Sequence, residues 1–531
     1  MYIKQNGFYT YDEMIDSINA LKEEYPSLIE LSSIGKSAEG RDLPLLIVTS
    51  ANKPHNQKPA YYIQANVHSN EAEGTTVSLY MINELCSGIQ YKKLLEELAF
   101  YIVPRVNPDG AELALMKRYV PRSRNKIHKV KNHIIPQDIN DDGMILNMRI
   151  QCDDGNMKPC KYDPRHLVAR NPEDKDGPFY KVYTEGLIYD WSGGEFYKEK
   201  VTVVDFNRNY PVNWQPSNPV SGDYPFSEPE TRAVGNFLLS KPNIFAGMDL
   251  HNGSNAVFRP GCLPQDRYDE ADKKLMDKLG KMCSEITDFP YLLCGYRYDT
   301  DLEIPGYSGT SNDFAYFMLG ISFFILELGN GFTQMGHKTI DMVMSKDFYK
   351  NNDKYVCELL KFHDRQNTEF FFPWTQFEHP QLGNVEIGGI STAYAYGISF
   401  PNILNIAPKV TRCLIEHAKA GPRFVFENLI AERLEGNLVK VYGNLVNKGQ
   451  MPANVMLAGK GRPVRSPINI KCELQNGAKY IGGMKPQIYK EDLKQDEAFY
   501  IEWFVLAPEG SDIIVEALHP RAVPVIQNLK A

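Results

Sequence analysis

AYYIQANVHSNEAEG, residues 60–74, is the stretch on which the fold turns. Its first eight residues are rich in aromatic and β-branched side chains and read as a strand. His68 and Glu71 follow at its end, three positions apart. An imidazole and a carboxylate so spaced can face one point from the turn after a strand. Zinc accepts both as ligands and, in catalytic sites, leaves one position for water. H-x-x-E alone is common by chance, and a polar turn containing a histidine is the alternative reading.

Outward from this stretch, DLPLLIVTS (42–50) and LAFYIVPRV (98–106) read as further strands, and TTVSLYMINELC (75–86) as a helix. Thr10 and Glu13 form a capping-box pattern ahead of Met14, Ile15, Ile18 and Leu21, which predicts a first helix ending near Pro26. VTVVDF (201–206), IFAGMDLH (244–251) and ISFFILELG (321–329) are nearly continuous apolar runs, as in central strands covered on both faces. Helices are expected between them, over 227–239 with Ser227 as cap and Glu230 three on, and over 269–286. Alternating strands and helices indicate an α/β layer fold, with ligands beyond strand ends.

Residues 125–200 break the rhythm and read as an insertion on the rim of the sheet. Within it, DINDDG (138–143) matches the start of an EF-hand calcium loop, but Arg149 stands where a bidentate glutamate is needed. A turn and a calcium site on Asp138, Asn140 and Asp142 are both open readings. KIHKVKNH (126–133) is locally basic and reads as a solvated loop, with contact to an anionic ligand as the alternative. FFFPWTQFEHP (370–380) looks like packing between domains, and PKVTRCLIEHAKA (408–420) like a helix stopped by Gly421 and Pro422. Beyond it RFVFENL, NLVKVYGNLV, ANVMLAG, INIKCEL, AFYIEWFVL and DIIVEAL read as six or seven strands of a β-sandwich.

A formal net charge of −8 argues against a general nucleic-acid binder. No run reaches the ~18 apolar residues of a membrane span. The first residues lack the apolar core of an export signal, so the expected compartment is the cytoplasm, or secreted or periplasmic if a signal was removed. The nine cysteines hold no C-x-x-C pair, and only Cys152 and Cys160 are close enough in a polar loop to suggest a disulfide.

His251 closes IFAGMDLH and can complete a His₂Glu ligand set with His68 and Glu71. Glu327 lies inside the apolar FFILELG, where a carboxylate is costly unless paired or functional. Together with GKSAEGRDLPLLIVT (35–49), NPDG (107–110), DFNRNYP (205–211), FSEPET (226–231) and GTSNDFAYFMLGISFFILELG (309–329), these landmarks run in order over residues 8–365. In that ordered set the chain resembles the zinc carboxypeptidases of the pancreatic-carboxypeptidase superfamily.

The resemblance implies an α/β catalytic domain over 1–365, a mixed central sheet flanked by helices, with the 125–200 insertion on its rim. A connecting segment at 366–421 and an antiparallel β-sandwich at 422–531 would follow. It implies one zinc held by His68, Glu71 and His251, with Glu327 as general base. By the same resemblance Arg122 is the oxyanion arginine, with Arg124 as competitor. Asn207 and Arg208 match the pair that grips the substrate's terminal carboxylate, and Asp205 the acid that orients His68. Tyr307 matches the tyrosine that closes over substrate, although its spacing to Asp313 is two residues short and Tyr298 is an alternative. Asn312 falls at the side-chain selector, where it can equally cap the helix at 313–319. Asn70 replaces the arginine found between the ligands in pancreatic members. The implied substrate is a peptide or peptide-like molecule with a free C-terminal carboxylate. The rivals are a zinc amidase acting on cell-wall peptides or N-acyl amino acids, and a binding module without catalysis. The β-sandwich is expected to stabilise the catalytic domain, or else to bind a partner or carbohydrate.

Overall fold

The computed structural model describes residues 4, 7–263, 268–293, 306–339, 351–391, 402–459 and 465–531. Thr10 closes its capping box in both directions and starts the first helix, Tyr11–Glu24. Met14, Ile18 and Leu21 are the buried side of that helix.

The main sheet has eight strands: β1 (Ile29–Lys36), β2 (Asp42–Val48), β3 (Ala60–Ala65), β4 (Ala99–Val103), β5 (Ile244–His251), β6 (Asn255–Arg259), β7 (Tyr291–Leu293) and β8 (Ser322–Leu328). Their order is β1-β2-β4-β3-β5-β8-β6-β7. The centre, β4-β3-β5-β8, is parallel, and β1-β2, β2-β4 and β6-β8 are antiparallel, so the sheet is mixed. β3, β4 and β5 are buried along their whole length, as their continuous apolar runs require. Helices Glu73–Ser87, Pro229–Ser240, Glu270–Thr287 and Asn402–Lys419 lie against the sheet and fill two core layers.

VTVVDF is not a central strand. Among the described residues Lys200–Val204 pairs only with Arg124–His128, in a two-stranded ribbon on the rim. Exposed ribbons favour β-branched residues as central strands do, and the short run does not tell them apart. The basic stretch from Lys126 therefore begins as strand, not loop. FFFPWTQFEHP is the strand Phe371–His379, whose partner Gly383–Ile390 pairs with Asn147–Gln151. It joins a six-stranded sheet with the insertion instead of packing between domains.

The C-terminal region is a β-sandwich of two four-stranded antiparallel sheets. Their inner faces bury Val441, Ile470, Ile501, Trp503 and Val515. ANVMLAG is not one of its strands: it is a turn and the short helix Leu457–Gly459, whose Leu457 and Ala458 N–H groups donate to Asp272 on helix Glu270–Thr287. Ser227 does not cap the helix it precedes. The helix begins at Pro229, and the Ser227 hydroxyl bonds Glu228 and Asn209 instead.

Two further expectations fail. Cys160 Sγ sits 3.7 Å from Cys357 Sγ, while Cys152 Sγ points to the Ile150 carbonyl, so the two loop cysteines are not partners. The calcium reading of residues 138–143 is not supported. Asp138 Oδ2, Asn140 Oδ1 and Asp142 Oδ1 accept from the N–H groups of Gly143, Asp142 and Met144, the Asn140 amide donates to Asp142, and Asp138 Oδ1 is buried without a partner. These local bonds make a turn. No described helix is long and apolar enough to cross a membrane.

Candidate metal centre

Three strand ends build the site. β3 leads through Asn66, which takes a left-handed turn at φ 56° and donates from its amide to the His68 carbonyl at 2.7 Å. His68 and Glu71 follow in that turn. β5 ends at His251 and β8 carries Glu327, and the two residues pair directly in the parallel register.

His68 Nδ1 lies 2.7 Å from Glu71 Oε1 and 3.3 Å from His251 Nδ1. His251 Nδ1 lies 3.1 Å from Glu71 Oε2. All three side chains are buried, and one ligand atom of each falls within 4.8 Å of the others. This is the one such cluster among the described residues.

Each imidazole turns its far nitrogen to a carboxylate. His68 Nε2 hydrogen-bonds Asp205 Oδ1 at 3.1 Å. His251 Nε2 lies 3.1 Å from Asp249 Oδ2, close but without hydrogen-bond alignment. Asp249 carried no assigned role from sequence, although it sits two residues before His251 and therefore on the same face of β5. Gln64 and Ser311 each donate to Asp249 Oδ2 at 2.6 Å and fix it. Such partners set ring orientation and ligand basicity in metal sites.

The electrostatics fit a cation. Burial alone raises the Glu71 carboxyl, but His68 and His251 outweigh it and hold it low. Asp205, likewise resisted by burial, is held well below the usual range by Arg208, Arg122 and His68. His251, which burial would lower, is driven up by Asp249 and Glu71. The Glu327 carboxyl is pushed up by burial, with His251 opposing and Glu71 reinforcing. Glu327 Oε2 is hidden without a hydrogen-bond partner, and Glu71 Oε2 has only His251 Nδ1 at 3.1 Å, without hydrogen-bond alignment. Unpaired buried carboxylate oxygens are costly. A His₂Glu donor set beside them is what a catalytic zinc takes, so these residues fit the metal.

The arginines separate cleanly. Arg122 Nε donates to Asp205 at 3.2 Å, and Nη1 lies 3.6 Å from Glu71. Its side chain is still 45 % exposed, so it is anchored yet reachable. Arg124 turns away, pairing with Glu228 and Glu230. Arg208, 14 % exposed, lies 3.8 Å from Asp205 and donates to the Asn207 carbonyl. Its guanidinium stacks on the Tyr307 ring, 4.3 Å to the centroid. Asn207 Oδ1 accepts the Ser311 N–H at 2.8 Å. Asn312 is not a helix cap; it is inside the helical turn that begins at Ser311, fully buried, with its amide nitrogen unpartnered and its oxygen 3.6 Å from Cys262 Sγ. Tyr298 lies outside the described residues.

Residues 14–349 match the zinc carboxypeptidase family, and residues 423–530 match a domain family of unknown function. Human carboxypeptidase N catalytic chain is 30% identical over 290 residues, 52% of this chain and 51% of that one. Carboxypeptidase B2 of Rattus norvegicus is 26% identical over 283 residues, again 52% and 51%. The chain thus spans about half the length of these relatives, and it covers 25% and 34% of a Saccharothrix zinc carboxypeptidase and an Astacus carboxypeptidase B. Among solved structures, carboxypeptidase A of Helicoverpa armigera aligns at a TM-score of 0.41 and 17% identity, over 69% of this chain and 74% of that one. The family match takes in well over half of the chain, and on that extent this protein belongs to the zinc carboxypeptidases.

Proposed function

We propose that the chain removes C-terminal residues from peptides by zinc-dependent hydrolysis. The observation that carries this reading is the meeting of His68, Glu71 and His251 with Glu327 and Arg122 around one point, with Arg208 beside it. His68, Glu71 and His251 would hold the metal, which when bound polarises the scissile carbonyl and lowers the pKa of water.

The remaining chemistry belongs to the chain. Glu327, raised by burial, takes a proton from the attacking water and delivers it to the leaving amine. Arg122 presents a fixed cation to the developing oxyanion, held in place by Asp205. Arg208, with Asn207, offers a planar fork to the substrate's terminal carboxylate. Selection of a free C-terminus over a mid-chain peptide follows from that fork. Tyr307, already stacked on Arg208, covers the same carboxylate, and Asn312 presents a neutral polar wall to the terminal side chain.

The test is cleavage of N-blocked peptides with free and with amidated C-termini across the terminal residues, with and without a chelator. Stepwise release that favours free C-termini over amides by about 10²–10³-fold, abolished by chelation and restored by zinc, is expected. Release from neither set with zinc bound would overturn the peptide reading and turn attention to cell-wall peptides and N-acyl amino acids.

A further inference from the structure

We infer that the candidate site is positioned from its far side: Arg521 of the β-sandwich region and His417 of the helix before it clamp the starts of β3, β5 and β8, the three strands whose other ends carry His68, Glu71, His251 and Glu327. Arg521 belongs to the β-sandwich region and is 2 % exposed. Its Nε donates to the Pro242 carbonyl at 3.2 Å, Nη2 to Leu319 at 2.8 Å and Nη1 to Gly320 at 3.1 Å. Nη1 also reaches the Asn454 carbonyl at 3.3 Å. No carboxylate pairs with it among the described residues.

Pro242 stands just before β5, and Leu319 and Gly320 just before β8. One planar cation therefore ties the entries of two adjacent parallel strands. The ladder it closes runs from Ala246 opposite Ser322 to His251 opposite Glu327. A one-residue slip in either strand would turn its side chains to the other face and part that last pair.

His417, fully buried on helix Asn402–Lys419, makes the second tie. Its Nδ1 hydrogen-bonds Tyr61 Oη at 2.9 Å on β3, and its Nε2 bonds Ser322 Oγ at 3.1 Å on β8. β5 lies between these strands, so the imidazole bridges over it. The Arg521 acceptors Leu319 and Gly320 also end the helical stretch that starts at Ser311, where carbonyls carry partial negative charge. At its start, the Ser311 hydroxyl holds Asp249 and its N–H meets Asn207. Burying a cation on carbonyls alone is expensive. Three of its four acceptors lie in the catalytic region, where strand register is what that cost secures.

The inference rests on the peptidase reading only for its kinetic readout. The test uses the full-length, zinc-loaded chain and the variants Arg521→Leu, Arg521→Lys and His417→Leu, with Val515→Ala in the sandwich core as a control for lost stability. Zinc release to a chelator, amide exchange of 244–251 and 322–328, and kcat and KM on a free-C-terminal peptide are measured under conditions where all are folded. Arg521→Leu is expected to release zinc about 10–100-fold faster and to exchange faster in both segments, as loosened support of metal ligands does. Its kcat falls by roughly the same factor, with KM within about threefold, as misplacement of catalytic groups predicts. Arg521→Lys, which keeps the charge and loses the fork, falls between. Val515→Ala changes none of these. Wild-type zinc release and exchange in a folded Arg521→Leu would overturn the clamp. If that variant does not fold, native values in Arg521→Lys overturn it instead. Zinc release and exchange stay readable even if the wild type cleaves no peptide, so the two failures are distinct.

Discussion

Replacing Arg208 with alanine removes the group assigned to the substrate's carboxylate, and the structure sets the size of the loss. The guanidinium is 14 % exposed and spends one donor on the Asn207 carbonyl, which leaves a face for a bidentate pair. Two charge-assisted hydrogen bonds at this exposure are worth about 3–4 kcal/mol, or about 10²–10³ in kcat/KM. The substitution also removes one cation from Asp205, which keeps Arg122 at 3.2 Å and His68 at 3.1 Å, so zinc should be retained. The assay is a cycle: wild type and Arg208→Ala, each on one peptide as free acid and as C-terminal amide, with zinc measured in each sample. The acid should lose the full factor and the amide no more than about threefold, because a neutral terminus never made the ion pair. Equal losses on acid and amide, with zinc intact, would refute the carboxylate role.

Three other outcomes are expected. Asp249→Asn and Asp205→Asn should each weaken zinc binding about 10–100-fold in chelator competition, Asp249→Asn having been named from geometry alone. Arg122→Ala should lower kcat more than it raises KM, by about 10²–10³, whereas Arg124→Ala should act on stability through Glu228 and Glu230. Stability in denaturant should fall with acid below about pH 6.5, because burial holds His417 and His519 down to about 3 each. Between those values the unfolded chain binds more protons than the native one, so each histidine costs up to ~1.4 kcal/mol per pH unit as pH drops, and His417→Gln should flatten the slope.

Which features were legible in the sequence follows from where each signal resides. β3, β5 and β8 are apolar on both faces, so their runs announce themselves and the ends that hold His68, His251 and Glu327 are placed with them. The eight-strand sandwich also declared itself through alternation, though short edge strands such as Lys479–Gly483 and Gln487–Lys490 carry too little pattern to read. VTVVDF misled because composition reports a strand but not its neighbours. Asp249 and Ser311 escaped because their task is to hold another side chain, which no local spacing encodes. The thiol that touches Cys160 is that of Cys357, 197 positions away on a helix, and only tertiary packing brings it near. Arg521 was silent for the same reason: its carbonyl partners belong to other elements, and one of them is 279 positions away.

In the proposed reaction one zinc, held by His68, Glu71 and His251, and one base, Glu327, together cut a C-terminal peptide bond. The most direct measurement is the rate of terminal-residue release by wild type and Glu327→Gln, with zinc per chain determined in the same samples. One zinc in both and a fall of about 10³ or more in the variant are expected, the loss of a general base on top of its charge. A zinc-loaded Glu327→Gln that turns over within about tenfold of wild type would contradict this assignment.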